Sequence, residues 1–249
     1  MKKFLSLILA LTMAAGLAAC GSGQTPSASQ ETDEPSSSAV EPSNPDSSQP
    51  DALDAPASDA DTEGKSLVVY FSLPETNDPN NMTQEEENSA VVIDGEVLGN
   101  TQYVAYIIQE NTGADIFRIE AEIPYPLDHD TLVDQAAEEQ DSNARPAIAD
   151  HVDNMDDYDT IFLGYPNWWG DMPMILYTFL EEYDLSGKTI VPFNTHGGSG
   201  FSNTIQTIAE LQPDADVLED GFTVSRNHVA EAESDVVSWL DEHGFTAAN

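Results

Sequence analysis

Basic side chains and cysteine are what this sequence has least of. Seven lysines and arginines face 46 aspartates and glutamates, a formal net charge of −39 at pH 7. Phosphate-backbone binding needs many Lys and Arg to displace counterions, so nucleic acid is excluded as a partner. Cys20 is the one cysteine in 249 residues, so stability cannot rest on an internal disulfide. The longest early apolar stretch, Phe4 to Met13, is too short for a comfortable membrane span. There is no internal repeat, no metal-ligand spacing, no paired-carboxylate motif, no Ser-His-Asp order and no dinucleotide fingerprint.

What is present begins with a secretory signal over residues 1–20: Lys2 and Lys3, an apolar core, then small residues. Leu17-Ala18-Ala19-Cys20 resembles the lipobox of bacterial lipoproteins. That resemblance implies that Cys20 becomes a lipidated first residue and that the chain is extracytoplasmic, meeting the membrane through its anchor only. With Cys20 acylated, thiolate metal sites and cysteine nucleophiles are excluded as well. Residues 21–64 are dominated by Ser, Pro, Asp, Glu, Ala and Gln, with Val40 and Leu53 the only large aliphatics. Such a composition cannot bury enough apolar surface to fold and predicts a disordered tether. The span 65–249 carries 36 acidic and 5 basic side chains, a formal −31. This acidity serves either solubility at a cell surface or steering toward a basic partner.

Residues 65–249 suit one domain with a substantial core. Ser66-Leu-Val-Val-Tyr-Phe-Ser72 is a continuous apolar run, as a strand buried on both faces reads. Similar runs lie at Asp115 to Glu120, Thr160 to Tyr165 and Thr189 to Asn194, with a weaker one near Val217 to Val224. Helical patterns alternate with them at Thr101 to Thr112, Asp128 to Glu139, Pro173 to Glu182, Asn203 to Leu211 and Ala230 to His243. The alternation predicts a doubly wound α/β domain, a five-stranded parallel sheet of order 2-1-3-4-5 with helices on both faces. Between Thr76 and Gly99 an insertion carries Glu85-Glu86-Glu87 and then Val91 to Val97 around Asp94-Gly95, the signature of a small β-hairpin.

In such a sheet, chemistry sits beyond the carboxyl ends of the strands. After the third strand comes Gly164-Tyr165-Pro166-Asn167-Trp168-Trp169-Gly170-Asp171. Adjacent tryptophans in a loop cannot both face one core, so at least one offers a flat apolar surface elsewhere. The fourth strand is followed by Asn194-Thr195-His196-Gly197-Gly198-Ser199-Gly200, whose glycines let backbone approach a planar ligand closely. Ser72 and Thr76 follow the first strand, and Gly99-Asn100-Thr101 opens a helix. A helix start with hydroxyls favours a phosphate group, or is simply a cap.

These motifs, Tyr-Phe-Ser, Gly-Asn-Thr, Gly-Tyr-Pro-Asn-Trp-Trp and Thr-His-Gly-Gly-Ser-Gly, resemble those of the bacterial flavodoxin-like family over about Ser66 to Trp239. The resemblance implies a flavodoxin-like fold and an FMN cofactor. It implies that Ser72, Thr76, Asn100 and Thr101 hold the phosphate, Pro166, Asn167, Trp168 and Trp169 one side of the flavin, and Thr195, His196, Gly197 and Gly198 another. The chain departs from the family pattern at the first loop, where Glu75 and the insertion intervene. A carboxylate beside a phosphate is unfavourable unless turned away. Asp171 is the nearest candidate in sequence for a carboxylate that tunes the flavin potential; its other role would be to cap the helix entered through Pro173. Arg145-Pro146 resembles a family feature but reads as structural.

Two functions follow as expectations. One is an FMN-binding electron-transfer protein or oxidoreductase, carrier and reductase both fitting, with donor and acceptor not written in these residues. The other is a non-redox binding lipoprotein that keeps the fold without a functional flavin.

Overall fold

The structure is a computed structural model that describes residues 64–247. Cys20, the signal segment and the tether up to residue 63 lie outside the described residues.

The first apolar run forms β1 (Ser66–Tyr70), and the insertion forms the antiparallel pair β2 (Ala90–Ile93) and β3 (Glu96–Gly99). Asp94 and Gly95 both take positive φ, 52° and 86°, the primed turn that a two-residue hairpin demands. Helix α1 (Asn100–Thr112) leads to β4 (Asp115–Arg118), and α2 (His129–Asp141) precedes β5 (Thr160–Pro166). Then follow α3 (Met174–Glu182), β6 (Thr189–His196), α4 (Thr204–Leu211), β7 (Asp216–Val217), β8 (Phe222–Ser225) and α5 (Glu233–His243).

The main sheet runs β4-β1-β5-β6-β7, with β8 also paired to β6, and every pairing is parallel. This is the expected 2-1-3-4-5 order. The fifth strand, however, is two pieces: β7 pairs with Thr189 and Ile190, and β8 with Phe193 to His196. The gap falls at Val191 and Pro192. Proline has no N–H to give a neighbour, and Gly221 packs against the Pro192 carbonyl so closely that a Cβ there would collide with it.

Both faces of the sheet are covered. Leu67, Val69, Phe71, Ile161, Leu163 and Tyr165 face a core built with α2, α3 and α4. Val68, Tyr70, Phe162, Val191 and Phe193 alternate to the other face and meet α1 and α5. Burial on both faces is why the strands read as unbroken apolar runs. The chain leaves β1 for β4 on one side and returns to β5 on the other, so the topological switch lies between β1 and β5. Their carboxyl ends frame a crevice there.

Candidate functional site

A groove of about 390 Å³ opens at that switch point, within the size range of small-molecule and cofactor sites. Of the residues singled out by sequence, Ser72, Asn100, Thr101, Pro166, Asn167, Trp168, Trp169, Thr195, His196 and Gly197 line it.

At the polar end, Ser72 is buried where β1 gives way to the loop. A Cβ on Gly99 would collide with the Ser72 hydroxyl, so glycine is what lets the start of α1 come against that side chain. Arg118 Nη2 donates to the Ser72 carbonyl at 3.1 Å and fixes the loop from behind. Thr101 Oγ1 lies 2.8 Å from Thr195 Oγ1, a buried bond that joins the start of α1 to the end of β6. Asn100 Nδ2 donates to Asn88 O at 2.9 Å, while its Oδ1 is buried without a partner among the described residues. The insertion is thus part of the wall: Asn88 and Ser89 both line the groove, and Ser89 Oγ accepts the N–H of Glu75 at 3.0 Å.

Among the described residues, Glu75 is the single Asp or Glu on the groove wall, with its side chain only 4 % exposed. It is turned onto His129 Nδ1 at 2.8 Å, at the first residue of α2. This pairing explains how a carboxylate is tolerated there, because a buried charge costs far less when it is paired and hydrogen-bonded. The pair also borders a second cavity of about 310 Å³ whose wall includes Glu85, Glu86, Asp128 and Asp130.

At the aromatic end the two tryptophans part company. Trp168 packs edge-on against Phe71 and Tyr125, ring centres 5.5 and 5.7 Å away, and joins the core beneath. Trp169 is 61 % exposed, its Nε1 donating to Val133 O at 3.2 Å. Reciprocal backbone bonds between Trp168 and Asp171 close a tight turn with Trp169 at φ 53° and Gly170 at φ 81°. That turn swings the second ring out of the core, and Leu132, Val133 and Ala136 of α2 complete an apolar wall beside it. Asn167 ties this loop to the next: its N–H donates to Thr195 O at 2.8 Å, and its Nδ2 to Gly200 O at 3.1 Å.

His196 Nδ1 accepts the N–H of Gly198 at 2.8 Å, which places the neutral ring's proton on Nε2. Burial pushes the His196 imidazole below its ordinary pKa.

Three of the residues that the sequence points to stand off the groove wall. Thr76 is not on the groove wall: the chain turns outward into the insertion there, and Thr76 Oγ1 accepts from Asp78 N. Gly198 also lies off the wall, its backbone bent back onto His196 at φ 128°. Asp171 is neither on the groove wall nor the cap of α3. Its carboxylate accepts from Met172 N and from Tyr177 OH, both at 2.8 Å, and the cap position of α3 is Pro173. Arg145 pairs with Glu181 at 2.6 Å, in keeping with its structural reading. His129 and Arg226, both on the groove wall, were not singled out by sequence. The signal available for Arg226 was its rarity, one of five Lys or Arg beyond residue 64.

No curated protein sequence matches the chain. Among solved structures, it is similar to a candidate flavoprotein from Bacteroides eggerthii DSM 20697, at 30 % identity over 72 % of this chain and 97 % of that one, with a TM-score of 0.55. A candidate flavoprotein from Bacteroides uniformis ATCC 8492 follows at 26 % identity, 72 % and 98 % coverage and the same TM-score. A flavoprotein from Lactobacillus acidophilus NCFM, solved in complex with FMN, matches at 18 % identity, 69 % and 99 % coverage and a TM-score of 0.48. The Flavodoxin family profile matches residues 91–243, more than half of the chain. By sequence profile and by architecture, the chain belongs to the flavodoxin family.

Proposed function

We propose that the groove binds FMN and that the chain works as an electron-transfer protein or FMN-dependent oxidoreductase tethered outside the cytoplasmic membrane. The observation that carries this reading is the pairing of a hydroxyl-lined helix start with an aromatic and apolar wall in one groove at the switch point. The residues present fit the group. Ser72, Thr101 and the amino end of α1 offer donors to a phosphate, and the helix dipole favours an anion there. Glu75, the one groove carboxylate, is held on His129. Trp169, Leu132, Val133 and Ala136 supply apolar surface for a flat ring, and Thr195, His196 and Gly197 bring polar atoms and close backbone to its edge.

When bound, FMN supplies the electron chemistry. The chain binds, orients and sets the charge around it. The bond between Thr101 and Thr195 and the Asn167 ties join the three loops, so the groove is braced for its ligand. The tether and anchor are supported by sequence alone, by the lipobox at Leu17 to Cys20 and the composition of residues 21–64.

An absorbance spectrum of the purified chain, followed by anaerobic reduction, tests the function. A yellow protein whose flavin bands bleach on reduction is expected; a colourless one that FMN titration cannot convert would overturn the reading in favour of a non-redox binding protein. For the anchor, Cys20→Ser is expected to abolish metabolic labelling with palmitate, and persistent labelling would refute it.

A further inference from the structure

Arg226 opens the short 3-10 segment Arg226–Glu231 directly after β8 and lines the groove next to His196 and Gly197. Its guanidinium lies against the Gly197 backbone: a Cβ added at Gly197 would stand 3.2 Å from both Cζ and Nη1. Each of the other four Lys or Arg among the described residues is engaged. Lys65 pairs with Asp115 at 2.8 Å, Arg145 with Glu181 at 2.6 Å, Arg118 donates to Ser72 O at 3.1 Å and Lys188 to Tyr158 O at 2.6 Å. Among the described residues Arg226 has neither an ion pair nor a hydrogen bond. In a span with 36 carboxylates, an arginine without a carboxylate partner, set on a groove wall, faces whatever the groove holds.

We infer that Arg226 is a redox-tuning residue, a counter-charge that makes the groove favour the reduced cofactor over the oxidised one. The inference rests on the FMN reading above. Adding two electrons and one proton to the neutral isoalloxazine, from a two-electron reductant such as dithionite, leaves one net negative charge on the ring near neutral pH. Among the described residues the one carboxylate on the wall, Glu75, is engaged with His129. Arg226 is the wall's one permanently charged cation. A phosphate, in contrast, carries its charge in both oxidation states, so attraction to it leaves their ratio unchanged. The arginine is solvent-exposed, and its influence should weaken as salt rises.

The test is the affinity of the chain for FMN in the oxidised and the dithionite-reduced state, measured anaerobically for wild type, Arg226→Gln, Arg226→Lys and Gly197→Ala. Arg226→Gln is expected to weaken the reduced form relative to the oxidised by about fivefold at low salt. At 29.6 mV per tenfold for a two-electron couple, the midpoint potential falls by roughly 20 mV. Arg226→Lys should keep more than half of the preference, Gly197→Ala should lose part of it by displacing the guanidinium, and salt should shrink all these differences. Equal weakening of both states by Arg226→Gln assigns the arginine to the phosphate and overturns the tuning role, as does an unchanged ratio. A wild-type chain that binds FMN in neither state defeats the flavin reading itself and the inference with it.

Discussion

The two ends of the groove are built by different means. Around Ser72, Glu75, Asn100 and Thr101 the wall consists of polar side chains held by individual hydrogen bonds, that between Glu75 and His129 among them. Around Trp168 the wall is the upper surface of the core, continuous with Phe71, Tyr125 and the sheet below. Substitutions at the polar end therefore act through single contacts, without opening a cavity in the core. At the aromatic end binding and stability are entangled, except at Trp169, which the tight turn has moved out of the core.

The largest effect expected is at Trp168. Trp168→Ala should lower stability by about 3 kcal/mol, the scale for truncating a packed aromatic. Trp169→Ala should stay within about 0.5 kcal/mol of wild type in denaturant unfolding, as surface changes do. It should instead weaken FMN binding by roughly 1–3 kcal/mol on the scale of base–aromatic stacking. Equal loss of stability in both variants would erase the distinction between the rings.

Next in size is Glu75→Gln, which removes the negative charge from the polar end while leaving a side chain of the same shape. FMN binding should strengthen by about 1 kcal/mol, the Coulomb scale for charges several ångströms apart at a partly screened site. Riboflavin, which has no phosphate, serves as the control and should bind as before. A matching gain for both ligands would mean that Glu75 acts on the ring rather than on the phosphate end.

The smallest effect expected is at the carboxyl end of β6. His196 should titrate below 6.5 by NMR, since burial disfavours its imidazolium. The native state then binds this proton less readily than the unfolded chain. Its contribution to stability is full above 6.5 and is lost as pH falls from there through the folded value. Protonation also fills Nδ1 and breaks its bond from Gly198 N–H, so faster exchange of the Gly198 amide should track the same titration. A midpoint at or above 6.5 would show that the imidazole is not held in that bond.

Much of this architecture could be read from the chain because each signal is local. Continuous apolar runs mark strands buried on both faces, and Asp94-Gly95 specifies its own turn. The two loops after β5 and β6 were legible for the same reason, their tryptophans and glycines standing together in sequence. Pairings across the fold were not. Glu75 and His129 are 54 positions apart, and nothing near either residue announces the other. Asp171 misleads for a related reason: adjacency to the tryptophans places it near the groove in sequence, while the turn at Trp169-Gly170 points its carboxylate to Tyr177. The break in the fifth strand is foreshadowed by Pro192, but on the neighbouring strand, where a local reading does not look.

That break bears on how the domain meets other copies of itself. A sheet edge is a row of unsatisfied N–H and C=O groups, and a long straight one invites a foreign strand to dock. Here one side of the sheet ends in β4, four residues long, and the other in segments of two and four residues separated by Leu218 to Gly221. Neither offers a template long enough to nucleate cross-chain pairing, and the surplus of carboxylates sets a repulsive field around both. By splitting the strand beside it, Pro192 of β6 leaves that edge as two short segments, the kind of edge that gives a foreign strand little to pair with.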